Sequence, residues 1–192
     1  MDNDKVCVGG DGGPLIVLQA AAIPQWQGAA NFDNSIMGGG DVETDYDVIC
    51  ENLLADEFGV VSRYGREMLV LWDSENGAMT LPPHMFGLAP GTVVVTYCYT
   101  DADLTHILPH MVERVARGGA ERAVPFHIQD ITLRLQVGAD GGDDAAYSYE
   151  HLDIPALPGV RQCDVYLFDH PVKSDWLKDM VVIINTPDGE AG

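Results

Sequence analysis

His106 and His110 stand four residues apart with Asp103 and Glu113 close by, the spacing at which one helix face can hold a divalent metal. Pro109 lies between them and disturbs that geometry, and any amphipathic helix shows a polar outer stripe, so the pair reads as a solvated face. The clusters Gly9 to Gly13 and Gly38 to Gly40 invite a phosphate, but phosphate loops follow a strand and open a helix. The first cluster precedes a strand; the second is followed by no Lys and by seven acids. Asp140, Asp143 and Asp144, in GADGGDD, lack the alternation and terminal Glu of a calcium loop. No Ser sits in G-x-S-x-G, and no Cys carries a local signature that would pair it with a His as an activated nucleophile. Arg114, Arg117 and Arg122 gather near the end of a helical stretch, where cations complement the helix dipole without any anionic substrate. Cys7, Cys50, Cys98 and Cys163 are far apart and form no C-x-x-C pair, so reduced, buried thiols are expected. These residues imply no cofactor; the enzyme alternative is a small metal-dependent hydrolase using His106, His110 and Glu113.

The elements that must position these side chains follow from periodicity. Gly13 to Leu18 reads as a strand and Gln25 to Gly40 as a loop. Tyr46, Ile49, Cys50, Leu53, Leu54 and Phe58 recur at the spacing of one helical face, which predicts a helix over Asp45 to Phe58. Val60 to Ser62, Glu67 to Trp72 and Ala78 to Leu81 predict a meander, with turns at Tyr64-Gly65 and at Ser74 to Gly77. Thr92 to Tyr99 is rich in β-branched and aromatic residues and should be an interior strand. A second helix carries Leu104, Ile107, Leu108, Met111, Val112 and Val115 on one face, with Pro109 marking a kink or a restart. Further strands are expected at Ile131 to Val137, Tyr147 to Leu152, Cys163 to Phe168 and Val181 to Asn185. Both helices open on Thr-Asp-x-Asp, at Thr44 and Thr100, where the Thr caps free amides and the acids meet the positive dipole end. The pattern suggests a weak duplication of helix followed by strands. The fold class is α+β, a mostly antiparallel, meander-rich sheet with two main amphipathic helices. One domain over 1–192 is expected, with flexible ends at 1–10 and 187–192 and a Gly/Asn-rich loop near 27–44.

Thirty acids against ten bases give a formal charge of −20 over 192 residues, a field that repels nucleic acid and anionic membrane surfaces and attracts cationic partners. The N-terminus lacks the basic start and apolar run of a signal peptide, and no apolar run is long enough to span a bilayer, so a cytoplasmic protein is expected.

In order, GGPLIVL (Gly12 to Leu18), IPQWQGA (Ile23 to Ala29), TDYDVIC (Thr44 to Cys50), GREMLVLWDS (Gly65 to Ser74) and GTVVVTYCYTDAD (Gly91 to Asp103) resemble the immunity protein 21 family of bacterial polymorphic toxin systems. DITLRLQV and ALPGVRQCDVYLFD extend the resemblance over most of the chain. It implies a cytoplasmic antitoxin that binds a cognate toxin domain without catalysis. The family's W-x-G element corresponds to Trp26-Gln27-Gly28 and its Asp-Tyr pair to Asp45-Tyr46, while the insert between Trp26 and Thr44 is longer than the family pattern leads one to expect.

Between Lys5 and Arg63 there is no base at all, and seven acids lie from Asp41 to Glu57. With the apolar face of the first helix turned inward, Asp47 and Glu51 sit one turn apart outside, joined by Asp41, Glu43 and Asp45. These acids and Trp26 are the candidate partner-binding residues, although for Trp26 the favoured reading is an aromatic that anchors its loop to the core. The expected partner is a basic protein toxin, met by a monomer or weak homo-oligomer; a charge-driven nucleic-acid mimic is the other binding alternative.

Overall fold

The computed structural model describes residues 7–9, 14–29, 44–53, 58–73, 77–138, 151–170 and 178–185. Among them the elements run β1 (Pro14–Gln19), α1 (Asp45–Leu53), β2 (Gly59–Arg63), β3 (Arg66–Asp73), β4 (Ala78–Leu81), β5 (Val93–Tyr97), α2 (Asp101–Arg117), β6 (Arg122–Ile128), β7 (Thr132–Val137), β8 (Leu152–Pro155), β9 (Gly159–Asp169) and β10 (Lys178–Ile184), with 3-10 turns at Ala20–Gln25 and Pro83–Phe86. The fold is α+β, with two five-stranded antiparallel sheets ordered β2-β3-β1-β7-β8 and β4-β5-β10-β9-β6.

Strand alternation explains the layering. In β1, Leu15 and Val17 enter a core shared by both sheets, while Ile16 and Leu18 point the other way, beneath α1 with Ile49, Met68 and Val70. In the second sheet, Val93, Val95, Cys163, Val165 and Val182 face the shared core, while Val94, Tyr166, Phe168, Val181 and Ile183 face Ile107 and Met111 of α2. The order of layers is helix, sheet, sheet, helix. Both faces of the central strands are dry, so β1 and β5 read as unbroken apolar runs rather than as alternating ones. α2 continues through Pro109 as one helix of 17 residues, so the expected restart does not occur.

The halves share a connectivity. In the first, β1 leads through α1 to the hairpin β2-β3, whose second strand returns beside β1; in the second, β5 leads through α2 and on to β9-β10, whose second strand returns beside β5. Their caps match as well. The Asp47 N–H donates to Thr44 Oγ1 at 3.0 Å and the Thr hydroxyl donates to Asp47 Oδ2 at 2.7 Å; the Asp103 N–H donates to Thr100 Oγ1 at 3.2 Å and that hydroxyl to Asp103 Oδ2 at 2.7 Å.

The sheets are joined covalently by a folded ribbon. Arg122 faces Val165, Ile128 faces Gly159, Thr132 faces Pro155 and Leu135 faces Leu152, so β6-β7 and β8-β9 keep one antiparallel register from the second sheet into the first. At the corner the Ala156 N–H donates to the Ile131 carbonyl at 2.9 Å. Gln19, fully buried, holds the inside of the bend: its Nε2 donates to the carbonyls of Glu67 (2.8 Å) and His127 (2.9 Å), and its Oε1 accepts from the N–H groups of Gln129 (2.6 Å) and Asp130 (3.3 Å). β6 was not expected, because Pro125 interrupts its run. Pro125 is tolerated on this edge strand: it shares the outward parity of His127, whose N–H and C=O leave the ladder for Glu67 and Gln19.

Two expectations are corrected. Cys7 and Cys98 are joined in a disulfide, Cα to Cα 5.7 Å, rather than held as reduced thiols; half-buried Cys50 and buried Cys163 stay outside it as thiols. Their 91-residue separation hides the pair in the sequence, and an antiparallel bridge between Val8 and Ala78 brings them together. Phe58, read as part of the first helical face, instead precedes β2 and packs into the core between the sheets.

Candidate functional site

Asp45 opens α1, and its carboxylate is turned inward with only 2% of the side chain exposed. It accepts from Arg63 Nε at 2.8 Å, from the Tyr64 hydroxyl at 2.7 Å and from the Gln27 N–H at 2.8 Å. The β2-β3 turn supplies two of these partners. Tyr64 and Gly65 both have positive φ, 53° and 70°, as a two-residue hairpin turn requires, and a non-glycine residue there carries backbone strain that the phenol's bond to Asp45 offsets. Burial and the neighbouring carboxylate raise the pKa of the Tyr64 phenol above its ordinary value. Asp45, read from the sequence as one of the partner-binding acids, is thus a buried anchor in this chain and not part of its accessible acidic surface.

Trp26 is an anchor as well, the reading favoured for it from the sequence. It is buried among Ile16, Leu18, Ile23 and Ile49, and its indole N–H donates to the Gly138 carbonyl at 3.1 Å. A Cβ at Gly138 would lie 2.2 Å from Ile49 Cδ1 and 2.9 Å from the Pro14 carbonyl oxygen, so only glycine lets this segment reach both the indole and α1. Asp47 is half-buried, and its carboxylate accepts the Thr44 N–H at 2.8 Å as well as the Thr44 hydroxyl. Those two hydrogen bonds lower the Asp47 pKa. Glu51 is exposed. Asp41 and Glu43 lie outside the described residues. Of the acids proposed from the sequence, Asp47 and Glu51 are the accessible ones among the described residues, and Asp47 also holds the cap.

On α2, His106, His110 and Glu113 are all exposed, and Glu113 accepts from Arg117 at 2.9 Å. Among the described residues no group of three or more His, Cys, Asp and Glu side chains is placed to hold a metal. The arginines are engaged within the fold. Arg66 pairs with Asp130, Arg134 with Asp153, and Arg114 with Glu121. Arg114 also donates to the carbonyls of Leu167, Gly118 and Gly119 and lies over the Tyr166 ring. Asp47, Glu51, Asp103 and Asp164 are exposed or half-buried acids. The accessible field of this region is negative.

A surface that sequence reasoning missed lies at the ribbon corner. Ile131 is 75% exposed, Leu157 52% and Val160 63%. Beside them, α2 and the 83–86 turn cover one end of the second sheet's outer face but not the other, where Val160, Gln162 and Asp164 of β9 project. These three line a groove of about 670 Å³ together with Gly87, Leu88, Ala89, Thr92, Pro125, Asn185 and Arg161, whose guanidinium is held by the Leu157 and Pro158 carbonyls. The signal was present but faint: Val160 breaks the inward-outward alternation that Cys163 and Val165 set.

No family model, curated protein or solved structure matches this chain. The function must then be argued from its own residues. Those residues offer two surfaces, the acidic outer side of α1 and the apolar corner with its groove. No helix among the described residues is long and apolar enough to cross a membrane.

Proposed function

We propose that the chain is a bacterial immunity protein, a non-catalytic antitoxin that binds and neutralises a cognate, basic toxin domain. The resemblance of GGPLIVL, TDYDVIC and GTVVVTYCYTDAD to the immunity protein 21 family supplies the kind of partner. The observation that carries the binding role is the charge arrangement: a chain of formal charge −20 in which Arg63, Arg66, Arg114, Arg117 and Arg134 are all spent on its own carboxylates. Such a field steers a cationic partner inward and raises the association rate at low salt.

The test is co-purification with the toxin domain encoded beside the gene, followed by stopped-flow association at increasing salt. A one-to-one complex whose association rate drops by about tenfold or more from low to high salt is expected. A salt-independent rate removes the steering role, and failure to protect cells against that toxin removes the immunity reading.

The cytoplasm is the compartment that the family resemblance implies, but the Cys7–Cys98 disulfide favours an oxidising one. Alkylation of thiols in freshly lysed cells decides between them: Cys7 and Cys98 blocked by reagent place the chain in a reducing compartment, and protected cysteines place it outside.

A further inference from the structure

We infer that the ribbon corner and the groove beside it form one docking surface, whose occupant is a protein segment that presents an apolar side chain next to a lysine or arginine. The inference rests on the protein-binding reading above and gives the contact a place and a chemistry. Ile131 and Leu157 sit on neighbouring turns tied by the Ala156 to Ile131 hydrogen bond, and Val160 follows on β9, where it also lines the groove. Patch and groove therefore meet at one residue. The three aliphatic side chains are more than half exposed, while most large apolar residues among those described are buried, and exposed apolar residues gathered at one corner mark a contact site.

The corner is preorganised. Arg161, itself buried, donates to the carbonyls of Leu157 and Pro158. On the facing turn Asp130 accepts from the Ala21 N–H at 2.8 Å and pairs with Arg66. A surface held in this way loses little conformational freedom when a partner lands on it.

Charge selects the occupant. The Asp164 carboxylate accepts from Asn185 Nδ2 at 2.6 Å and from Gln162 Nε2 at 3.3 Å, both neutral amides that orient it without cancelling its charge. A base on the incoming segment would find that carboxylate about where an apolar neighbour finds Val160. A second copy of the chain, also at −20, would be repelled as it approached.

Short random peptides displayed on phage can be selected against the intact protein. The peptides recovered are then titrated by fluorescence anisotropy against the wild type and the variants Val160→Asp, Asp164→Asn and Glu51→Lys, with urea midpoints confirming that each variant is folded. The expected consensus places Arg or Lys beside an aliphatic or aromatic residue. Affinity should fall about tenfold or more in Val160→Asp, fall severalfold in Asp164→Asn, and hold in Glu51→Lys. An acidic or uncharged consensus, no consensus, or full affinity in folded Val160→Asp overturns the inference. So does a dimer that Val160→Asp dissolves, which would make a second copy the occupant, or a gain in peptide affinity on deleting residues 186–192, which would make the chain's own end the occupant. Undiminished binding of the toxin by Val160→Asp would sink this placement and leave the immunity reading standing; peptide binding as expected with no toxin bound would do the reverse.

Discussion

Asp45→Ala should unfold the protein more readily than any change to an exposed acid on α1. The substitution leaves three donors facing a void: the Gln27 N–H, the Tyr64 hydroxyl and Arg63 Nε, each now 2.7 to 2.8 Å from a carboxylate oxygen. A hydrogen bond to a charged acceptor is worth about 1.5–3 kcal/mol net, and a donor stranded in the interior costs about 1–3 kcal/mol. The Arg63 side chain is 30% exposed and can turn to water, so its share is discounted to about 1 kcal/mol or less. The total is about 3–4 kcal/mol, at the lower end of what breaking a buried ion pair costs. With a urea slope of about 2–3 kcal/mol per molar, the midpoint should fall by more than about 1 M. Asp45→Asn keeps one acceptor and the shape, and should lose about half as much. Glu51→Ala, an exposed site six residues further along α1, should stay within about 0.5 kcal/mol of the wild type. A loss under about 1 kcal/mol in Asp45→Ala, or an equal loss in Glu51→Ala, would refute the assignment of Asp45 to the interior.

Gln19→Leu keeps the volume but strips the amide from four backbone groups at the inside of the corner, and should lower the melting temperature by roughly 6–12 °C, at about 2–4 °C per kcal/mol for a chain of this length. Exchange of the Gln129 amide hydrogen should quicken in the same variant. Acid should weaken the fold in a defined window. Asp47 is lowered by its two bonds from Thr44, and Asp153 by the hydrogen bond from Arg134, so both have folded pKa values below their unfolded ones. Their stabilisation is full above the unfolded value, near pH 4, and is lost as pH falls through the folded values. The urea midpoint should therefore drop below about pH 4, and Asp47→Asn should remove its part of that drop.

Local signals were legible in the sequence and long-range ones were not. β1, β3, β5 and α2 declared themselves through their own composition, and the two Thr-Asp-x-Asp caps formed as read. β6 hid behind Pro125, because whether proline is allowed depends on which edge of the sheet a strand occupies. Ile131, read as the start of a strand, is the outside of a corner, and the predicted strand at Tyr147 to Leu152 lies outside the described residues except for His151 and for Leu152, the first residue of β8. Asp45 resembles Asp47 in sequence, yet only tertiary contact with the Tyr64 turn sends one inward. Cys7 and Cys98, and the patch at Ile131, Leu157 and Val160, likewise exist only once distant segments have met.

The ribbon that passes from one sheet to the other also acts as a ruler common to both. Its two chains hold one register on either side of the bend, so the faces of β6 and β9 and the faces of β7 and β8 are set by the same count of residues. A single residue gained or lost in one chain at the corner would leave one sheet in phase and turn the other inside out, presenting the partners of Leu133 and Leu135 to water and polar ones to the core. Length changes at this bend must come in matched pairs or be absorbed in a bulge. The bend is thus fixed in length.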